Sequence, residues 1–319
     1  MTAPDPPFDT RTLPFGGAAI AEAARLIAAG QPVAVPTETV YGLAADATDG
    51  GAVARIYAAK GRPSFNPLIV HVPDLVAAET IAVLDDAARA LATAFWPGPL
   101  TLVLPLRSDA GISSLVTAGL DTIALRVPAH RAMRSLLAAT GKPLAAPSAN
   151  ASNRISPTQA AHVLASLAGK VALIIDDGPT TAGLESTIVR GDRILRPGPI
   201  TDDAIKQVLL AAGASAAPIG KEGAAITAPG QLTSHYAPAK PLRLNALAAE
   251  PDEWLIGFGA IAGDETLSAR GDLAEAAARL FDLLHRADAS PKPRIAVAPV
   301  PDQDVGTAIN DRLRRASHR

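Results

Sequence analysis

The chain contains no cysteine. Disulfides, thiolate zinc sites, iron–sulfur clusters and a cysteine nucleophile are therefore excluded. Aromatic residues make up only 3%, so aliphatic side chains must build any core. The six histidines include no His-x-x-x-His pair, which argues against a histidine metal site. Charge is sparse: charged residues make up 19%, and the formal net charge is −2. The low charge argues against disorder. The near balance leaves no global field that would draw the chain to nucleic acid, so any weak RNA contact needs a local patch. No run of 18 apolar residues escapes interruption by charge, proline or polar groups, and no membrane span is expected. Residues 1–14 are polar and proline-rich, without a basic segment leading into an apolar one. No signal peptide is expected there, and a cytoplasmic location is the default expectation.

What is present is an aliphatic chain of 319 residues, 48% of them apolar. At roughly 100–200 residues per domain, that length suggests two domains. Apolar periodicity and Gly/Pro punctuation predict helices over 17–30, 52–60, 85–95, 130–140, 158–167 and 201–212. Buried strands are predicted over 31–36, 67–72, 100–106, 122–127, 144–147, 171–176 and 186–189. Residues 185–190 and 193–196 flank Gly191-Asp192 like a hairpin. This mixture predicts an α/β domain with a mixed, twisted sheet and flanking helices over 1–213. Residues 214–241 are rich in Ala, Gly and Pro without sustained periodicity and read as a linker. A smaller α/β unit follows over 242–319, with strands at 253–258 and 294–300 and amphipathic helices at 272–287 and 306–317.

Several segments carry polar groups where chemistry could sit. Pro36-Thr37-Glu38-Thr39-Val40-Tyr41-Gly42-Leu43 follows a strand; it reads as an ordinary turn or as a ligand loop at a strand end. Lys60-Gly61-Arg62-Pro63 offers a fork and a point charge one residue apart. That pair suits a phosphate, although taken alone it reads first as a solvated surface loop. Asn66-Pro67 follows, then a strand with His71. Arg126 lies in an apolar strand, where alternation puts Thr122, Ala124 and Arg126 on one face. An arginine there needs an anion, either a structural carboxylate or a substrate carboxylate. Ala145-Ala146-Pro147-Ser148-Ala149-Asn150 is a small-residue strand ending in polar groups, followed by Ser152, Asn153, Arg154 and Ser156. It could admit a phosphate or ribose, or simply form a Ser/Asn turn. Gly183 to Val189 adds Ser186 and Thr187, and Arg196-Pro197-Gly198 adds another arginine. Ser234-His235-Tyr236-Ala237-Pro238 puts an aromatic in the linker, where it could be a hydrophobic anchor. Two apparent motifs fail their context. Gly257-x-Gly259-x-x-Ala262 is followed by a polar loop, not a helix. Gly220-Lys221 lacks the spacing of a phosphate-binding P-loop, and no Gly-x-Ser-x-Gly elbow occurs.

Taken in order and spacing, these segments resemble the threonylcarbamoyl-AMP synthase family in its long form: a YrdC-like catalytic domain, a linker and a smaller, Rossmann-like C-terminal domain. The resemblance runs from about Pro36 to Gly198 and through His235-Tyr236-Ala237-Pro238. Its most specific element is the Lys-x-Arg with Ser-x-Asn pairing, here Lys60/Arg62 and Ser148/Asn150. The resemblance implies a synthase that condenses L-threonine, bicarbonate or CO₂, and ATP to threonylcarbamoyl-AMP and pyrophosphate. The product would pass to downstream tRNA threonylcarbamoyl-transfer machinery. By the same resemblance, Lys60, Arg62, Ser148 and Asn150 are the catalytic set. Thr39, His71, Arg126, Ala146 and Ser186 would contact threonine. Arg62, Asn66, Thr122, Ser148, Ser156, Arg196 and Tyr236 would contact ATP, with Tyr236 as part of a lid. Mg²⁺ would be bound through ATP phosphates, with no protein side chain as metal ligand. A rival is a YrdC-like nucleotide or double-stranded RNA binding module without chemistry, which needs no amino-acid pocket. The related carbamoyl-transfer domains of hydrogenase maturation factors carry cysteine-rich zinc segments, and this chain has no cysteine.

Overall fold

Side chains that accept from free backbone N–H groups set the helix starts. Asp49 accepts from Gly51 N ahead of helix Gly50–Lys60, Asp85 from Ala88 N ahead of Asp86–Phe95, and Thr201 from Ala204 N ahead of Asp202–Ala211. Left-handed glycines end helices at Gly61 (φ 58°) and Gly141 (φ 61°), a conformation that costs glycine least. The computed structural model describes residues 8–63, 65–214 and 235–318. Most of the linker expected at 214–241 lies outside the described residues.

Among the described residues, ten strands form one mixed sheet. They are β1 (Arg11–Pro14), β2 (Val33–Pro36), β3 (Tyr41–Asp46), β4 (Ile69–His71), β5 (Leu100–Pro105), β6 (Thr122–Arg126), β7 (Leu144–Ala145), β8 (Leu173–Asp176), β9 (Thr187–Arg190) and β10 (Arg193–Arg196). Their spatial order is β1-β8-β2-β3-β7-β4-β6-β5-β9-β10. The β9–β10 hairpin is antiparallel, as its turn residues suggest. β4 runs parallel to β6, which sets His71 beside Arg126. Helices Gly17–Ala28 and Arg131–Thr140 cover one part of the sheet through Ile20, Ile27, Met133 and Leu136. Helices Gly50–Lys60 and Asp86–Phe95 contribute Val53, Ile56 and Leu91 to the larger core.

A second sheet of four parallel strands follows: β11 (Leu242–Arg243), β12 (Glu253–Gly257), β13 (Glu265–Thr266) and β14 (Arg294–Val297), ordered β11-β14-β12-β13. Helices Leu273–Ala289 and Val305–Ser317 pack on it. Its core does not stop at its own boundary. Val40, Ile155 and Leu184 of the first unit join Phe281, Leu284 and Ile309 in one apolar cluster. Gly183 permits this contact: a Cβ there would lie 2.4 Å from Ala277 O, so only glycine lets the helix approach.

Six elements go beyond the expectations: β1, β3, β11, β13, helix Leu75–Ile81 and the short helix Ser114–Thr117. β3 matters most, because it turns the segment 36–43 into a hairpin: β2 and β3 pair antiparallel from Val33 with Ala44 to Pro36 with Tyr41.

Candidate active site

A cleft opens where the β2–β3 turn, the start of the 146–150 loop, the end of β6 and the segment 185–196 converge, with His235 and Tyr236 closing one side. The β2–β3 turn is held by a directed chain of hydroxyls. Thr37 Oγ1 donates to Val40 O at 2.7 Å, and Thr37 and Thr39 hydroxyls meet at 2.8 Å. Thr37 has spent its single proton, so Thr39 is the donor to Thr37. Thr39 in turn accepts from Arg126 Nη1 at 2.9 Å. The Thr39 oxygen keeps a lone pair that can accept from a ligand.

Arg126 meets a structural carboxylate. Its Nη2 donates to Glu38 Oε1 at 2.5 Å and its Nε to Gly98 O at 3.1 Å. The other Glu38 oxygen accepts from Ala129 N (3.1 Å) and His130 N (3.3 Å). Burial tends to raise the Glu38 pKa, but Arg126 outweighs it and the carboxyl sits below its usual range. Glu38 is therefore ionised. Of the two anions considered for Arg126, Glu38 is the one within the protein, and it is 88 residues away in the chain. Three of the five guanidinium N–H groups are used in these bonds, so the arginine can also face a second anion across the cleft.

His71, next to Arg126, is buried, and burial first, then Arg126, pushes its pKa down to about 3. It is neutral. Neither of its ring nitrogens has a side-chain partner among the described residues, and the Leu144 backbone is the one backbone group that acts on the ring, short of good hydrogen-bond geometry. Asn66 Oδ1, His235 Nδ1, the Tyr236 hydroxyl and one Arg312 nitrogen are buried in the same condition. Buried polar groups without partners are rare in folded proteins, and three of these, on His71, His235 and Tyr236, line the cleft, where a polar ligand would satisfy them.

Two arginines face the cleft from other directions. Arg62 hydrogen-bonds Pro67 O at 3.1 Å, and burial lowers its pKa to about 10, so it stays charged. Arg196 donates to Ser186 O (2.9 Å) and Ser186 Oγ (3.1 Å), and Ser186 also meets the Thr101 hydroxyl at 2.7 Å. Gly42 bridges to Ser148, and a Cβ on Gly42 would lie 3.3 Å from the Ala146 Cβ. Small residues thus bring the Ala146–Ser148 backbone to the cleft wall, as the sequence suggests.

Nine of the fourteen anticipated site residues line this cleft: Thr39, Arg62, His71, Arg126, Ala146, Ser148, Ser186, Arg196 and Tyr236. Five do not. Lys60 is buried behind the wall, with its ammonium on Ser148 O (2.5 Å), Asn150 O (2.5 Å) and Asn150 Oδ1 (3.4 Å). The surface-loop reading of Lys60 is thereby corrected: burial removes it from solvent, and protein oxygens take its charge. Asn150 donates from its amide to Arg154 O and Ile155 O, which closes its own loop. Ser156 donates to Glu185 Oε1 at 2.5 Å. Asn66 and Thr122 are buried without lining the cleft, Thr122 at the far end of β6 from Arg126. Glu38 and Glu185 stand in polar segments, but no local spacing shows that their partners are Arg126 and Arg312. Arg312 was not anticipated, although it interrupts the buried stripe of Ala308, Ile309, Leu313 and Ala316 on an amphipathic helix.

A family model described as "Telomere recombination" matches residues 25–198, and one described as "Threonylcarbamoyl-AMP synthase, C-terminal domain" matches residues 200–318. A threonylcarbamoyl-AMP synthase of Bacillus subtilis (strain 168) is 40% identical over 322 residues, covering 93% of this chain and 92% of its own. The chain belongs to the threonylcarbamoyl-AMP synthase family. A second member of that family, from Pyrococcus abyssi, is 39% identical over 317 residues, covering 92% of this chain and 93% of its own. The crystal structure of P. abyssi Sua5 complexed with L-threonine superposes with a TM-score of 0.85 at 36% identity, covering 97% of each chain. The likeness thus extends through the C-terminal unit as well as the catalytic one. No helix among the described residues is long and apolar enough to cross a membrane.

Proposed function

We propose that the chain makes threonylcarbamoyl-AMP from L-threonine, bicarbonate or its CO₂, and ATP, releasing pyrophosphate. The observation that carries this reading is the convergence of the neutral His71, the Arg126–Thr39 pair and the two further arginines Arg62 and Arg196 in one cleft. It is supported by a full-length relative whose structure holds L-threonine.

Threonine's carboxylate would take the remaining donors of Arg126, and its hydroxyl and nitrogen would meet His71, Thr39 and Ser186. The unprotonated amine attacks CO₂ and loses a proton, giving a carbamate. A carbamate oxygen then attacks the α-phosphorus of ATP, the bond to the β-phosphate oxygen breaks, and pyrophosphate leaves. No covalent enzyme intermediate is needed. The protein's work is to hold two anions in line and to meet the charge that moves onto pyrophosphate. Arg62 and Arg196 would take the second task, held by their hydrogen bonds to Pro67 O and Ser186 O.

Mg²⁺ would be held through phosphate oxygens and water, where it screens the phosphate charge. The donor set fits that arrangement: the carboxylate on the cleft wall, Glu185, is engaged by Arg312 and Ser156, and the remaining charges there are cationic. A cytoplasmic enzyme handing its product to tRNA threonylcarbamoyl-transfer machinery completes the reading. The test is pyrophosphate release that needs threonine and bicarbonate together. Release with ATP alone would favour the nucleotide- or RNA-binding alternative.

A further inference from the structure

Arg312 belongs to the C-terminal helix Val305–Ser317, yet it is completely buried and reaches the catalytic unit. Its Nε donates to Glu185 Oε2 at 2.8 Å, across 127 residues, while Nη1 donates to Asp311 Oδ2 at 2.7 Å. Its guanidinium carbon lies 5.2 Å from the centroid of the Tyr236 ring, within cation–π range. Glu185 lines the cleft, and its other oxygen accepts from Ser156 Oγ. The C-terminal unit touches Ser156 a second time, where His285 Nε2 donates to Ser156 O at 3.1 Å.

A carboxylate in a cleft meant for phosphates is a problem unless its charge is met. Burial would raise the Glu185 pKa, but Arg312 and Arg196 outweigh it and hold the group ionised. Arg196 also faces the cleft and, in the proposed reaction, is needed by ATP. Arg312 does not line the cleft, and its second carboxylate partner, Asp311, is also met by Arg315, which leaves Arg312 to offset Glu185.

We infer that Arg312 is a positioning residue for the nucleotide side of the site: it neutralises Glu185, which orients Ser156, and it backs the Tyr236 ring. The C-terminal unit is on this account part of the nucleotide-binding apparatus. This inference rests on the proposed adenylate-forming reaction, but its main readout, ATP binding, does not require turnover.

The test is calorimetric titration of the full chain with ATP and, separately, with threonine. Removing one partner of a buried charge pair should weaken ATP binding to Arg312→Met about tenfold or more, with threonine binding changed less than about twofold. Adding Glu185→Gln to Arg312→Met removes the uncompensated charge while keeping an oxygen for Ser156. That double variant should recover at least half of the loss on a logarithmic scale. Arg312→Lys, which keeps the charge, should fall between wild type and Arg312→Met, and it carries the same ATP-to-threonine comparison if Arg312→Met fails to fold. Unchanged ATP affinity, an equal loss for ATP and threonine, or no recovery in the double variant would each overturn the inference. Failure of the wild type to release pyrophosphate would instead overturn the proposed reaction.

Discussion

Lys60 meets Asn150 twice, at the backbone oxygen (2.5 Å) and at the side-chain oxygen (3.4 Å), although 90 residues separate them. Together with the bond to Ser148 O, this makes Lys60 the clamp of the loop that carries Ser148 to the cleft. Burial, and then the nearby Arg62 charge, push the Lys60 pKa well below its usual value. Its three hydrogen bonds make Lys60 a structural residue first. The pairing of Lys60/Arg62 with Ser148/Asn150 therefore has a physical content: the lysine fixes the loop and the arginine faces the ligand.

Lys60→Met and Arg62→Met should separate these roles. Without the ammonium, the buried oxygens of Ser148 and Asn150 lose their donor, at a cost of about 1–3 kcal/mol. Lys60→Met should thus melt lower and also turn over slowly. Arg62→Met should raise the KM for ATP more than it lowers the melting temperature. Thermal melts beside ATP titrations check both, and an unchanged melt for Lys60→Met contradicts the clamp.

Glu38 and Arg126 make a second testable pair. Glu38→Gln strands a buried guanidinium, and removing one partner of such a pair costs about 3–5 kcal/mol. The folded fraction of Arg126→Ala should bind threonine roughly 30-fold or more weakly, with ATP affinity little changed. Equal threonine affinity in a folded Arg126→Ala would confine Arg126 to its structural bond with Glu38.

Stability should fall with acid in a defined window. His71 has its pKa pushed down to about 3 and His285 to about 4, both by burial first, with His235 also well below its usual value. The unfolded chain binds protons near pH 6.5 that the native chain refuses, so stability rises with pH through the window and is lost as pH falls from about 6.5 towards 4. Each histidine contributes a slope of at most about 1.4 kcal/mol per pH unit. The lowered carboxylates Glu38 and Glu185 act in the same direction only at lower pH, below about 4.5, the ordinary carboxyl range. Urea unfolding at pH 7.5 and 5.5 measures the window, and His71→Asn should flatten it. A curve that is flat in wild type contradicts the neutral burial of these rings.

Tyr236 was expected to act as a lid on a linker. The residue is buried, adopts φ 63°, and sits between Phe281 and Arg312 with its hydroxyl unpartnered among the described residues. Tyr236→Phe should keep the melting temperature, because no bond is lost, while weakening ATP binding if the hydroxyl serves the nucleotide. Tyr236→Ala should cost about 3–5 kcal/mol through lost packing. A lowered melt in Tyr236→Phe would show a structural hydrogen bond for the hydroxyl.

Local signals were legible in the sequence and distant partners were not. Caps such as Asp85 and Thr201, the glycine stops, and the charge of Arg126 inside an apolar strand all have a spacing that can be read. β3 was missed because Tyr41 to Asp46 begins inside a polar segment, and helix Leu75–Ile81 because seven residues carry too little periodicity. The partner of Arg126 was left open because Glu38 is 88 residues away, and Arg312 drew no attention because its partner is 127 residues away. A charge on the apolar face of the last helix was the readable trace of that contact.

The central claim is that one cleft joins threonine, bicarbonate and ATP. The direct measurement is pyrophosphate release by the purified full-length chain, with threonine and bicarbonate each omitted in turn. The account predicts release only when both are present, with threonylcarbamoyl-AMP formed in equal amount. Equal release with ATP alone would contradict it.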